Sequence, residues 1–189
     1  LNLCNKNMVK MDTNNNDGKA RHKLLLEVCM AAKYEGESLT RYHTPHQQTY
    51  GASASQLCTV LARSFADIGD IVRGRDLFYG NPQEKDQRDK LDRNLKEIFG
   101  DIYKDVTNGG KNGELQKRYE GDEDKNFLKL REDWWTANRA KVWYAITCDV
   151  VSGKYFRHTC NGGNITYNKC QCANTDVPTY FDYVPQFLR

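Results

Sequence analysis

No run of apolar residues in this 189-residue chain approaches the roughly 20 that span a bilayer. Asn2, Asn5 and Lys6 interrupt the start, so no signal peptide reads there. The chain reads as a piece of a longer protein, with any anchor or targeting signal expected outside it and no direct membrane insertion by this stretch. A large net charge is also missing. Lys plus Arg number 28 against 25 Asp plus Glu, a balance of +3. That speaks against nucleic acid as a partner, since such domains are expected to have a pI above about 9. Catalytic signatures are absent too: there is no G-x-S-x-G, no P-loop and no H-E-x-x-H. Gly109-Gly110-Lys111-Asn112-Gly113 lacks phosphate-loop spacing and a preceding strand, and reads as a flexible loop. Only four histidines are present, which leaves little for a Cys-His nucleophile. No internal repeat and no cofactor motif is found.

What is there argues for order. Hydrophobic residues make up 39% and aromatics 11%, enough to exclude a disordered composition. The length suits one large domain or two small subdomains.

Periodicity predicts helices. After a polar start with an Asn run at 14 to 16, a helix reads over Lys19–Tyr34, with Leu25, Val28, Cys29 and Ala32 on one face. Gly36, Pro45 and Gly51 mark 35–52 as a loop. Ser53-Ala54-Ser55-Gln56 fits a capping box, and Leu57, Leu61, Phe65, Ile68 and Val72 follow at helical spacing up to Gly74. Asn81-Pro82-Gln83-Glu84 opens a third helix with an apolar stripe of Leu91, Leu95, Ile98 and Ile102, ended by Asn108-Gly109-Gly110. Residues 107–125 read as an exposed loop. A fourth helix spans Asn126–Thr147 and is apolar on more than one side, which predicts packing between neighbours. Beyond Cys148 lies an irregular segment, and Tyr180–Phe187 begins another ordered element. The expected class is mainly α: a helical bundle with long loops and few or no strands.

Few constellations could carry chemistry. Asp67 and Asp70 lie three apart on the second helix, a carboxylate pair that could serve acid–base catalysis. Arg63 and Arg73 lie at helical spacing from them, so structural ion pairs are the preferred reading. His43-x-x-His46 reads as a solvated loop pair, and His22 sits on an exposed basic face. Asn164-Ile165-Thr166 is an N-glycosylation sequon on an expected surface loop. Trp134, Trp135 and Trp143 are read as core. Lys85, Arg88, Lys90, Arg93 and Lys96 decorate the third helix, Lys117-Arg118 follows it, and Lys19-Arg21-His22-Lys23 forms another cluster. These basic patches are the candidate ligand surfaces, since Lys and Arg recognise dense negative charge by charge-assisted hydrogen bonds. Their alternative is an ordinary solvated face.

The seven cysteines are Cys4, Cys29, Cys58, Cys148, Cys160, Cys170 and Cys172. Their odd number leaves at least one free or paired outside the chain. His158 with Cys160, Cys170 and Cys172 could hold zinc. The alternative is disulfides, with Cys148 and Cys160 as candidate partners of Cys170 and Cys172, which are too close to pair with each other. No C-x2-C knuckle supports the metal.

Four stretches in one order carry a resemblance. They are LEVCMAAKYEGES at 26–38, LARSFADIGDIVRGRD at 61–76, LREDWWTANRAKVW at 130–143 and VPTYFDYVPQFLR at 177–189. Together they resemble the alpha-type Duffy-binding-like domain of the erythrocyte membrane protein 1 family of malaria parasites. The resemblance implies a disulfide-stapled helical scaffold without metal, with all seven cysteines as disulfide candidates. It also implies division into a loop-rich first subdomain, 1–52, and a helix-bundle second subdomain, 53–189, with a third mostly absent. It implies a variant surface antigen on the infected erythrocyte. That antigen would adhere to host cells and form rosettes through complement receptor 1, heparan sulfate or blood-group sugars. The rival readings are a spacer between adhesion domains and, last, an enzyme using Asp67 and Asp70.

Overall fold

The computed structural model describes residues 3–11, 13, 18–50, 54–76, 81–107, 113–122 and 126–189. Among them are six helices: α1 (Lys6–Val9), α2 (Ala20–Tyr50), α3 (Ala54–Arg73), α4 (Pro82–Thr107), α5 (Gly113–Arg118) and α6 (Leu128–Ile146). Three short 3₁₀ turns follow at Asn168–Cys170, Phe181–Tyr183 and Gln186–Leu188. The described residues contain no strand, only an isolated bridge between Cys160 and Asn164. The expected helical class is what the chain adopts.

The largest difference from the sequence reading lies in α2. The helix does not stop at Tyr34 but continues through Gly36 and Pro45 to Tyr50. Gly36 is therefore not a breaker. A Cβ at that position would stand 1.9 Å from the carbonyl oxygen of Ile146, so glycine is what lets α2 cross close to α6. His43 and His46 accordingly sit on a helix, not in a loop. The buried face of α2 is Leu24, Val28, Ala31 and Ala32, while Leu25 and Cys29 lie at its margin. Glu35 is buried on the same face, where its carboxylate accepts the Ser64 hydroxyl at 3.0 Å and the Cys4 N–H at 3.0 Å.

Helix α3 ends as its sequence predicts. Gly74 has φ +71°, its N–H bonds the Ile71 carbonyl, and the Arg75 N–H reaches back to the Asp70 carbonyl. This is a Schellman closure, which needs a left-handed residue at that position. The capping box at its start falls on Ser53, outside the described residues. Helix α4 opens on a reciprocal cap: the Glu84 N–H donates to Asn81 Oδ1 at 2.9 Å and the Asn81 N–H to Glu84 Oε2 at 3.3 Å. Its stripe of Leu91, Leu95, Ile98 and Ile102 is buried, with Phe99 beside it. The expected stop at 108–110 also lies outside the described residues.

The expected loop at 107–125 contains α5. Glu114 in its first turn and Lys117 and Arg118 in its last suit the helix dipole. Buried Tyr119 follows, and its hydroxyl meets Asp133 on α6 at 2.9 Å. Helix α6 starts where the Asp122 carboxylate accepts the N–H groups of Lys129 and Leu130, at 2.9 and 2.8 Å. It packs against α2 and α3, and α2 packs against α3. All three tryptophans are buried, as expected for a helix enclosed by neighbours. Trp134 meets Phe99 edge-on, while Phe65 lies 5.2 Å from both Trp135 and Trp143. Gly69 makes room for the Trp135 indole, which a Cβ there would meet at 2.8 Å.

Candidate adhesion surface

The α4 stripe that faces the core decides which basic side chains point out. Lys85, Lys90 and Arg93 are exposed. Neither lysine has an ion pair among the described residues, and Arg93 donates to its own helix at the Asp89 carbonyl, 3.3 Å away. Lys96 is paired with Asp92 at 2.9 Å. Arg88 behaves differently from the sequence expectation: it is half-buried in an ion pair with Asp76, fastening the segment after α3 to α4. Arg118 is likewise occupied. It grips Asp133 through two bonds of 2.6 Å, which raise the arginine and hold the carboxyl below its usual range. Lys117 remains exposed beside an open groove of about 510 Å³ that Tyr103 and Gln116 also line. Gln116 bonds the Thr107 carbonyl, so α5 sits at the far end of α4. By helical rise that end is roughly 30 Å from Lys85. The seven basic candidates do not converge on one site.

Asp67 and Asp70 belong to a docking network. Asp70 pairs with Arg73 at 2.9 Å and with Arg189, and Asp67 pairs with Arg189 at 3.3 Å. Arg63, the expected partner of Asp67, stays exposed. Burial pushes the Asp67 carboxyl up to about 6, with Arg189 opposing the shift. Burial also raises Asp70, opposed by Arg189 and then Arg73. Nearby, buried Asp182 accepts the Trp135 indole N–H at 2.9 Å and takes Arg139 in two bonds of 2.8 Å. Arg139 lies over Phe65, Tyr180 and Tyr183. The chain end is thus clamped onto α3 and α6 by charge. Sequence reasoning found Asp70 and Arg73 but missed Arg189 and Asp182, whose partners lie more than 40 residues away.

The cysteines also sort differently from expectation. Cys58 bonds Cys170 and Cys160 bonds Cys172. Cys148, a candidate partner of this pair, is a free thiol, and so are Cys4 and Cys29. Burial raises all three thiols, with Glu35 adding to the effect at Cys4 and Asp149 at Cys148. The sulfurs that would have joined His158 in a zinc site are consumed by disulfides.

The stapled segment forms a feature that motif reading missed. Lys154, Asn161, Asn164, Tyr167 and Asn168 line an open groove of about 520 Å³ next to the Cys160–Cys172 bond. The sequon asparagine is therefore a groove residue. Its threonine, Thr166, is buried and accepts the Tyr155 N–H at 2.8 Å. No helix among the described residues is long and apolar enough to cross a membrane.

Comparison with known proteins follows this geometry. Two solved structures from the Plasmodium falciparum membrane protein 1 (PfEMP1) of the varO strain are similar over 98% of the chain. They are the NTS-DBL1(alpha-1) domain, at 40% identity and TM-score 0.76, and the NTS-DBL1-alpha and CIDR-gamma double domain, at 39% and 0.78. The chain spans 39% of the first and 25% of the second. The ICAM-1-binding PfEMP1 IT4var13 DBLbeta domain is 31% identical over 99% of the chain, with a TM-score of 0.72 and 39% of its own length covered. No curated protein matches. The sequence profile of the Duffy binding domain matches residues 1–189 from end to end, and the chain belongs to that family.

Proposed function

We propose that this chain is an adhesion module of a variant antigen on the infected erythrocyte. It binds host erythrocyte receptors or sulfated glycans through the outer face of α4. The carrying observation is the rigid presentation of Lys85, Lys90 and Arg93 on a helix whose opposite face is buried. Immobile cations lose little freedom on meeting an anionic partner. The DBLbeta relative has been solved bound to ICAM-1, which supports a host protein receptor as another occupant of this fold. Complement receptor 1, heparan sulfate and blood-group sugars are the partners tested first. We read 1–52 and 53–189 as two subdomains, with α2 lying against α3 and α6 across their boundary. Asp67 and Asp70 serve packing, and no catalytic role is assigned to them.

Retention on immobilised heparin across a salt series, with erythrocyte staining in parallel, tests this reading. The triple variant Lys85→Glu, Lys90→Glu, Arg93→Glu is expected to bind heparin at least about tenfold more weakly and with less salt sensitivity. Equal retention of the folded triple variant would remove α4 as the binding face. Absence of staining by the parent chain would favour a spacer role.

A further inference from the structure

The groove beside the Cys160–Cys172 bond has the chemistry of a binding site. Three carboxamides, from Asn161, Asn164 and Asn168, line it with the Lys154 ammonium and the exposed ring of Tyr167. None of these four polar side chains has a hydrogen-bond partner among the described residues. Carboxamides both donate and accept, which suits the paired donor and acceptor character of sugar hydroxyls. An exposed aromatic ring offers a flat apolar face for the C–H side of a pyranose. The volume of about 520 Å³ falls in the range of small-ligand sites, roughly 300–1,000 Å³.

Charge narrows the ligand. From Val150 to Thr175 the sequence holds Lys154, Arg157 and Lys169 and not one Asp or Glu. The whole chain nets only +3, so its positive excess is concentrated here as well as on α4. All three cations are exposed.

The walls are held in place before any ligand arrives. The Cys58–Cys170 bond ties the segment to α3, and Cys160–Cys172 closes the groove edge. The Cys170 N–H bonds the Gly153 carbonyl at 3.0 Å, the Tyr167 N–H bonds the Gln171 carbonyl at 2.8 Å, and Cys160 pairs with Asn164. A pre-formed site avoids the ordering cost that weakens flexible ones.

We propose that this groove binds an acidic sugar unit, its anionic group on Lys154, its hydroxyls on the three asparagines and its ring on Tyr167. The proposal rests on the adhesion reading but uses a surface separate from α4. A sialic-acid carboxylate and a sugar sulfate share this chemistry. Because Asn164 is both a sequon residue and a groove residue, an N-glycan attached there would occupy the site.

The test is saturation-transfer NMR and calorimetry on the oxidised chain made without N-glycosylation. The probes are 3′-sialyllactose, 6-sulfogalactose and lactose. At least one acidic probe is expected to bind saturably, and lactose at least about tenfold more weakly. Lys154→Gln and Tyr167→Ala should each weaken the acidic probe about tenfold without changing heparin retention, which reads α4. Whichever acidic probe is preferred identifies the source of the anion. Failure of both acidic probes, equal binding of lactose, or unchanged affinity in both variants would overturn the proposal. Circular dichroism and disulfide mapping confirm that each variant is folded. Loss of heparin and erythrocyte binding with groove binding intact would instead overturn the α4 reading alone.

Discussion

Asp182 concentrates more tertiary information than any other side chain here. It is buried, yet it satisfies the Trp135 indole and both arms of the Arg139 guanidinium. Removing one partner of a buried pair strands the other. Asp182→Ala is therefore expected to cost about 3–5 kcal/mol, read as a lower denaturation midpoint at unchanged slope. Asp67 makes a pH prediction. Its folded value of about 6 lies above the ordinary 3.8, so the folded state holds the extra proton between those values. This site contributes most stability below pH 4, and the contribution is lost as pH rises through about 6. Wild-type stability relative to Asp67→Asn should rise by up to about 3 kcal/mol as pH falls from 7 to 4. A flat difference across urea titrations at those pH values would contradict the assignment. The Asp67–Asp70 spacing was legible in the sequence, and so was its structural role. The partner of Asp67 was not, because Arg189 lies 122 positions along the chain and no local pattern connects them.

At the scale of the element, local rules worked where helix ends are made by neighbours in sequence. The Asn81–Glu84 cap and the Gly74 closure involve residues within a few positions, so their chemistry is written locally. The same rules failed at Gly36. A glycine and a proline within fifteen residues read as a loop, yet the helix runs on because α6 lies against it. Gly36→Ala is expected to push α2 off α6 and cost about 1–3 kcal/mol, since the new methyl meets backbone rather than a flexible side chain. Thermal denaturation checks it, and an unchanged midpoint would mean that the crossing can relax. Helix α5 was missed for a related reason. Six residues make too short a window for periodicity, and the anchoring contacts come from Asp133 on α6.

For the molecule as a whole, the two disulfides act on different lengths of chain. Cys58–Cys170 closes 112 residues and Cys160–Cys172 only 12. In the chain-entropy account the longer loop gives the larger stabilisation, about 4–5 kcal/mol against about 3. Cys58→Ser with Cys170→Ser should therefore lower the denaturation midpoint more than Cys160→Ser with Cys172→Ser. The reverse order would show that holding the 160–172 segment in shape matters more than joining it to α3. The second double variant should also loosen the groove and weaken acidic-sugar binding while leaving heparin retention on α4 intact.

The sequence by itself determined the helical class, the α3 and α4 helices, the burial of the tryptophans and the family, because motif residues and apolar stripes are local and ordered along the chain. It also singled out the basic residues of α4. Only the tertiary structure decided which of them are open: Arg88 and Arg118 are taken up by Asp76 and Asp133, contacts that depend on how separate segments meet. The same holds for the cysteines, whose pairing follows distance in space, and for the groove. Its five polar and aromatic side chains come from two stretches that a bridge and a disulfide fold together, and no spacing rule marks them as one surface.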